Sequence, residues 1–171
     1  MQGTRRRGPL PPRLRTDLRA VLPIAGFWFV SLLAGCGKHP IHARLPDAGP
    51  GRTQFESYCA ACHLSGGAGM IGEAPPLEGS SWVAGPENRL IKIVLHGLHG
   101  AIEVRSKTYN QEMPAFGQTL TDAEIASLLS FVRQRFGGVT APVSPEAVSR
   151  VRDATRDRTG YWTVDELLKG P

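Results

Sequence analysis

Cys59-Ala60-Ala61-Cys62-His63 decides how this chain is read. Two thiols separated by two residues share one helical turn, so each can add to one vinyl group of a haem, and the imidazole that follows then faces the iron. C-x-x-C-H is the general signature of covalent haem attachment. Two other chemistries use the C-x-x-C spacing. A zinc site would need two further ligands; His96 and His99 lie downstream, but nothing around them has the form of a zinc knuckle. A thioredoxin-like redox pair would follow a strand inside a βαβ unit, and no such pattern surrounds the motif.

Working outward, Gly51, Phe55, Cys59 and Cys62 recur at intervals of four, four and three, which is one face of a helix. A partner helix is legible far downstream. Thr121 stands three residues before Glu124 as a capping box, Ile125, Leu128, Leu129, Val132 and Phe136 follow a period near 3.6, and Gly137 with Gly138 ends the run. Gly51 is small enough to let the two backbones cross closely, with Phe55 against Phe131 or Val132. Between them, Pro86 opens a helix that runs through His96, with Leu90, Ile91, Val94 and Leu95 on its apolar side and Gly97 as its C-cap. Ser65-Gly66-Gly67-Ala68-Gly69 could suggest a phosphate cradle. No strand precedes it and no Lys-Ser/Thr follows, so it reads as a loop around the haem edge.

Together these residues resemble a class I c-type cytochrome over residues 51–137, about half the chain. The resemblance implies an all-α fold wrapped around one covalent haem c, with a C-terminal helical extension beyond it. It also implies roles for particular residues. Pro75, in Pro75-Pro76-Leu77, would offer its carbonyl to the Nδ1 proton of His63 and so orient the imidazole toward iron. Met113, ahead of Pro114 in the loop before the closing helix, stands where the family carries its second axial ligand. A thioether there is soft and favours reduced iron. The rivals for that position are Met70, which is close to the haem motif in sequence, and His96 and His99, which sit at a helix end before Gly100; a sixth site left open is the remaining alternative. Trp82 either covers the haem and donates to a propionate or is plain core. Tyr109 and Asn110 would orient the sulfur or seal the haem from water.

The implied function is electron transfer: a mono-haem carrier cycling between Fe(II) and Fe(III), taking electrons from a periplasmic dehydrogenase or respiratory donor and passing them to a partner protein. It is not an enzyme in itself. Glu73, Glu78, Glu103 and Glu112 are scattered in loops and form no acid-base pair. The competing classes are a haem peroxidase and a redox or gas sensor with a labile sixth ligand. Tyr109-Asn110-x-x-Met113-Pro114, with the tail described below, is similar to the cytochrome modules that accompany bacterial periplasmic dehydrogenases.

Charge and composition organise the rest. The 171 residues carry a formal net charge of +5. Residues 1–36 hold six arginines against Asp17, and the remainder is balanced at 14 Lys+Arg against 14 Asp+Glu, so nucleic acid is excluded as a partner. Residues 20–34 form an apolar run that as a helix would span about 22 Å, short of a hydrocarbon core of about 30 Å. A signal sequence fits better than a permanent span. The run ends in Leu33-Ala34-Gly35-Cys36, which resembles a bacterial lipobox and explains the third cysteine as a lipidation site. The expected division is a lipoprotein signal peptide over 1–35, a lipidated cysteine and tether over 36–50, the cytochrome domain over 51–137 and a tail over 138–171. This places the protein in a bacterial cell envelope, facing the periplasm and anchored to the membrane by lipid. In the tail, Ser144 caps and Pro145 opens a helix carrying Val148 and Val151 among Arg150, Arg152, Arg156 and Arg158, and Thr163 with Glu166 forms a second capping box. Such a segment is either a solvated strap folded back on the domain or a docking surface whose arginines steer a partner.

Overall fold

Gly51 sets how the chain closes on itself. The computed structural model describes residues 49–169, and in it α1 (Pro50–Tyr58) crosses α5 (Asp122–Gly137) at this glycine. A Cβ there would overlap the Ser127 carbonyl oxygen and lie 3.0 Å from Phe131 Cβ, so only hydrogen permits the approach. One turn later Phe55 is fully buried, its ring 5.5 Å from that of Phe131 and 5.2 Å from that of Phe136. Gly51→Ala should therefore push two helix backbones apart and destabilise the protein by about 1–3 kcal/mol. Gly66→Ala, where a Cβ meets nothing within 4 Å, should be near neutral. Denaturant unfolding of the two variants side by side checks the contrast.

The helix boundaries follow local chemistry. Thr121 Oγ1 accepts from the Glu124 amide at 3.3 Å while Glu124 Oε2 accepts from the Thr121 amide at 2.8 Å, and Gly138 ends α5 at φ 67°. α2 (Ala60–His63) continues α1 past Cys59, so the face predicted from Gly51, Phe55, Cys59 and Cys62 runs over two helical segments. A short α3 (Ser81–Ala84), capped by Ser80, leads into α4 (Glu87–His96), whose Leu90, Ile91, Val94 and Leu95 join Phe55, Ile125, Leu128, Leu129 and Phe136 in the main core.

Two small sheets correct the all-α expectation. β2 (Ile102–Val104) and β3 (Lys107–Tyr109) pair antiparallel, with Ile102 opposite Tyr109 and Val104 opposite Lys107. Their two-residue turn is Arg105-Ser106, at φ 53° and 59°. Such turns favour Asn-Gly or Asp-Gly because both positions are left-handed, so nothing in Arg-Ser announced the hairpin. β1 (Leu98–His99) pairs in parallel with β4 (Trp162–Thr163), far along the chain.

The tail folds back as a strap, and its apolar face is core rather than solvated. α6 (Pro145–Ala154), capped by the Ser144 side chain, buries Ala147, Val148 and Val151 in the main cluster, together with Val143 just ahead of the cap. α7 (Val164–Leu168), opened by the Thr163 and Glu166 capping box, buries Leu167 in a second cluster with Ile93, Leu98, Ile102, Val104 and Tyr109. Among the described residues no helix is long and apolar enough to cross a membrane. The expected signal peptide over 1–35, the expected lipidation site Cys36 and residues 37–48 of the expected tether lie outside the described residues.

Candidate haem site

The two clusters enclose a largely apolar cavity of about 390 Å³, lined by Cys59, Cys62, His63, Pro75, Trp82, Tyr109 and Met113 among aliphatic side chains from α4, α5 and the hairpin. The structure thus brings together every predicted cavity residue except Asn110, which is exposed and does not line it. Met70 lines it as well, whereas His96 and His99 do not. His96 Nε2 donates to Thr155 Oγ1 at 2.7 Å, since the Thr155 hydroxyl is itself committed to the Val151 carbonyl. His99 Nδ1 pairs with Glu112 Oε1 at 3.1 Å at the surface. Lining residues not anticipated from sequence include Tyr58, Leu98, Ile102, Val104 and Phe116. The alternation Ile102-Glu103-Val104 was the available signal, and it is too short to distinguish a strand from a loop.

One ring nitrogen of His63 is committed to the main chain. Nδ1 lies 3.0 Å from the Pro75 carbonyl, and because a carbonyl can only accept, Nδ1 carries the proton and Nε2 keeps its lone pair. Burial pushes the imidazole pKa down, against the opposing effect of the Pro75 bond, which favours the neutral, coordinating form. The glycine loop presents that carbonyl. The Gly69 amide donates to the His63 carbonyl at 2.9 Å, Met70 and Ala74 bridge at 2.9 Å in both directions, and a Cβ on Gly69, at φ 69°, would overlap the Ala74 and Pro75 main chain.

Cys59 is pushed up to about 12, first by burial and then by the neighbouring Cys62. A dithiol redox pair requires the opposite, a depressed thiol pKa. Among the described residues no group of three or more His, Cys, Asp or Glu side chains could hold a metal ion, and the zinc reading therefore finds no additional ligands there.

Met113 is held by its backbone. Its amide donates to the Leu98 carbonyl at 2.9 Å and its carbonyl accepts from the Leu98 amide at 3.0 Å, while the Phe116 and Gly117 amides donate to Val94 and Leu95 at 2.8 and 3.1 Å. The loop is thereby zipped onto the end of α4. Trp82, on the cavity wall, carries the Arg89 guanidinium over its ring at 4.4 Å. Two thiols, an imidazole with one nitrogen committed to a carbonyl and two thioethers on an apolar wall are groups whose chemistry fits a covalently held haem.

Residues 46–132 match the family model described as cytochrome c oxidase, cbb3-type, subunit III. The chain belongs to the cytochrome c family. This cytochrome is 37% identical to cytochrome c-552 of Thermus thermophilus over 105 residues, covering 56% of this chain and 79% of the relative. It is 35% identical over 129 residues to the fructose dehydrogenase cytochrome subunit of Gluconobacter japonicus, covering 70% of this chain and 25% of that subunit. It is also 35% identical over 127 residues to the cbb3-type cytochrome c oxidase subunit FixP of Bradyrhizobium sp. (strain ORS 278), covering 73% of this chain and 40% of the relative. The cytochrome's cofactor is covalent haem c, with Cys59 and Cys62 in the C-x-x-C-H position.

Proposed function

We propose that this cytochrome carries single electrons between a dehydrogenase or respiratory donor and a downstream acceptor protein at the bacterial cell envelope, with His63 and Met113 as the axial pair. The observation that carries this reading is that His63, tied through Nδ1 to Pro75, lines the same cavity as Met113, whose loop is hydrogen-bonded to Leu98 on one side and to Val94 and Leu95 of α4 on the other. When bound, haem supplies a one-electron Fe(II)/Fe(III) couple. The chain's residues then have three tasks. Cys59 and Cys62 would hold the group, the Pro75 carbonyl would orient His63, and Met113 with the surrounding Leu98, Ile102, Tyr109 and Leu129 would keep water and small ligands from the iron. No acid-base pair is needed.

The names of the relatives support the class of partner: one is a subunit of fructose dehydrogenase, another of a cbb3-type oxidase. A lipid anchor at Cys36, following a signal over 1–35 and leading into a tether to residue 50, is part of the proposal and rests on Leu33-Ala34-Gly35-Cys36. Mass spectrometry of the mature N-terminus tests the anchor; an unmodified terminus elsewhere would remove it. The carrier itself is tested on the purified holoprotein. A reversible one-electron titration, a reduced spectrum unchanged by carbon monoxide and no turnover of peroxide are expected. Immediate carbon monoxide binding or peroxide reduction would put the sensor or peroxidase reading first.

A further inference from the structure

The four arginines of the tail were candidates for steering a partner, yet the two best ordered by their contacts are spent inside the molecule. Arg152, on α6, uses all three guanidinium nitrogens. Nε donates to Asp122 Oδ1 at 2.7 Å, Nη2 to the Leu120 carbonyl at 3.0 Å and Nη1 to the Gly117 carbonyl. Gly117 and Leu120 lie on the turn that joins Met113 to α5, and Asp122 is the first residue of α5. Arg158 forks onto Glu166 at 3.0 and 2.8 Å, and its guanidinium lies 3.6 Å from the centre of the Trp162 ring.

Trp162 in turn holds the other flank of Met113. Its amide donates to the Gly97 carbonyl at 3.1 Å and it pairs with Leu98, the residue that bridges to Met113. Gly97 has φ 78°, and a Cβ on it would overlap both the Met113 carbonyl oxygen and the Tyr161 ring. The tail's Tyr161 and the main chain of Met113 therefore meet across a glycine. Met113 is kept in its loop by Leu98 on one side and by the Phe116–Gly117 contacts with α4 on the other, and the strap backs each of these from outside.

From this we infer that the C-terminal strap positions Met113, with Arg152 as the principal positioning residue and Trp162, braced by Arg158, as the second. The inference rests on the reading of Met113 as the sixth ligand. Its physical content is that opening the loop far enough to free the thioether requires the strap to let go, so the strap sets how often the iron's sixth position becomes available. A lysine cannot replace Arg152, because a single ammonium on a flexible stem does not reproduce a planar fork aimed at three acceptors.

The test uses the holoprotein with Arg152→Lys and Arg152→Gln, and Arg150→Gln as the control from the exposed side of the same helix. Both Arg152 variants should accelerate binding of exogenous imidazole to the oxidised protein about tenfold or more, the scale expected when hydrogen bonds from a charged group are lost, and should weaken the sulfur-to-iron charge-transfer band. The control should change neither. A lower melting temperature in the Arg152 variants, with imidazole rate and band matching the control, would overturn the inference. A second measurement needs no variant: in the wild type, the amides of Met113 and Trp162 should exchange with solvent hydrogen as one cooperative unit. Exchange at Met113 while Trp162 stays protected would equally overturn it. A wild type that lacks the charge-transfer band refutes the axial assignment itself, which is a separate outcome.

Discussion

Met113→Ala lowers the midpoint potential by on the order of 100 mV or more, a fraction of the range of about 0.8 V that axial ligands span, and lets the reduced protein bind carbon monoxide. On the proposed axial assignment the thioether is the soft donor that favours Fe(II), and its removal would leave the sixth position to water or an added ligand. The change should remain local, because the two hydrogen bonds with Leu98 that hold residue 113 are made by its main chain and survive loss of the side chain. Spectropotentiometry and a carbon monoxide titration read the two effects. Met70 is the internal control, since it also lines the cavity: Met70→Leu should leave the charge-transfer band in place. A band that survives Met113→Ala assigns the ligand elsewhere and makes Met70 the first candidate.

Removing both attachment points has an even larger expected effect, on folding rather than on potential. With Cys59→Ala and Cys62→Ala the haem is no longer retained, and a cavity of about 390 Å³ is left among side chains such as Val83, Leu128, Leu129 and Val132. At about 24 cal/mol per Å³ the cost is at most on the order of 9 kcal/mol. The whole stability of a typical domain is about 5–15 kcal/mol. The double variant is therefore expected to lack a cooperative melt and to be degraded in the cell, and circular dichroism through a thermal scan checks it. A variant with native helicity and a sharp transition would show that the two clusters hold together without the haem.

Much of this protein was legible before any tertiary contact was known, and the legible parts share one property. Cys59, Cys62 and His63, the capping boxes at Thr121 with Glu124 and Thr163 with Glu166, the Ser144-Pro145 helix start and the stops at Gly97 and Gly138 are all interactions over a few residues. Their physics is contained in spacing and in the backbone's limited conformations. Gly51 was legible for a related reason: a residue with no side chain on the buried face of a helix has few uses other than a close crossing.

What only the tertiary structure decided depends on residues distant in the chain. The parallel pairing of Leu98 with Trp162, the turn of Arg105-Ser106 into left-handed backbone, the solvent-facing side chain of Asn110, the burial of Val148 and Leu167 in two different clusters, and the Arg152 fork onto Gly117, Leu120 and Asp122 leave no period in the sequence. The arginines show why most plainly. A guanidinium on an amphipathic helix has the same local signature whether it meets a partner's carboxylate or three acceptors of its own chain, and the choice is made by which surface α6 covers once Val148 and Val151 have found the core. The sequence determined the haem motif and the helices that carry it; packing determined that the tail belongs to the Met113 loop, because that contact exists only after the chain has closed.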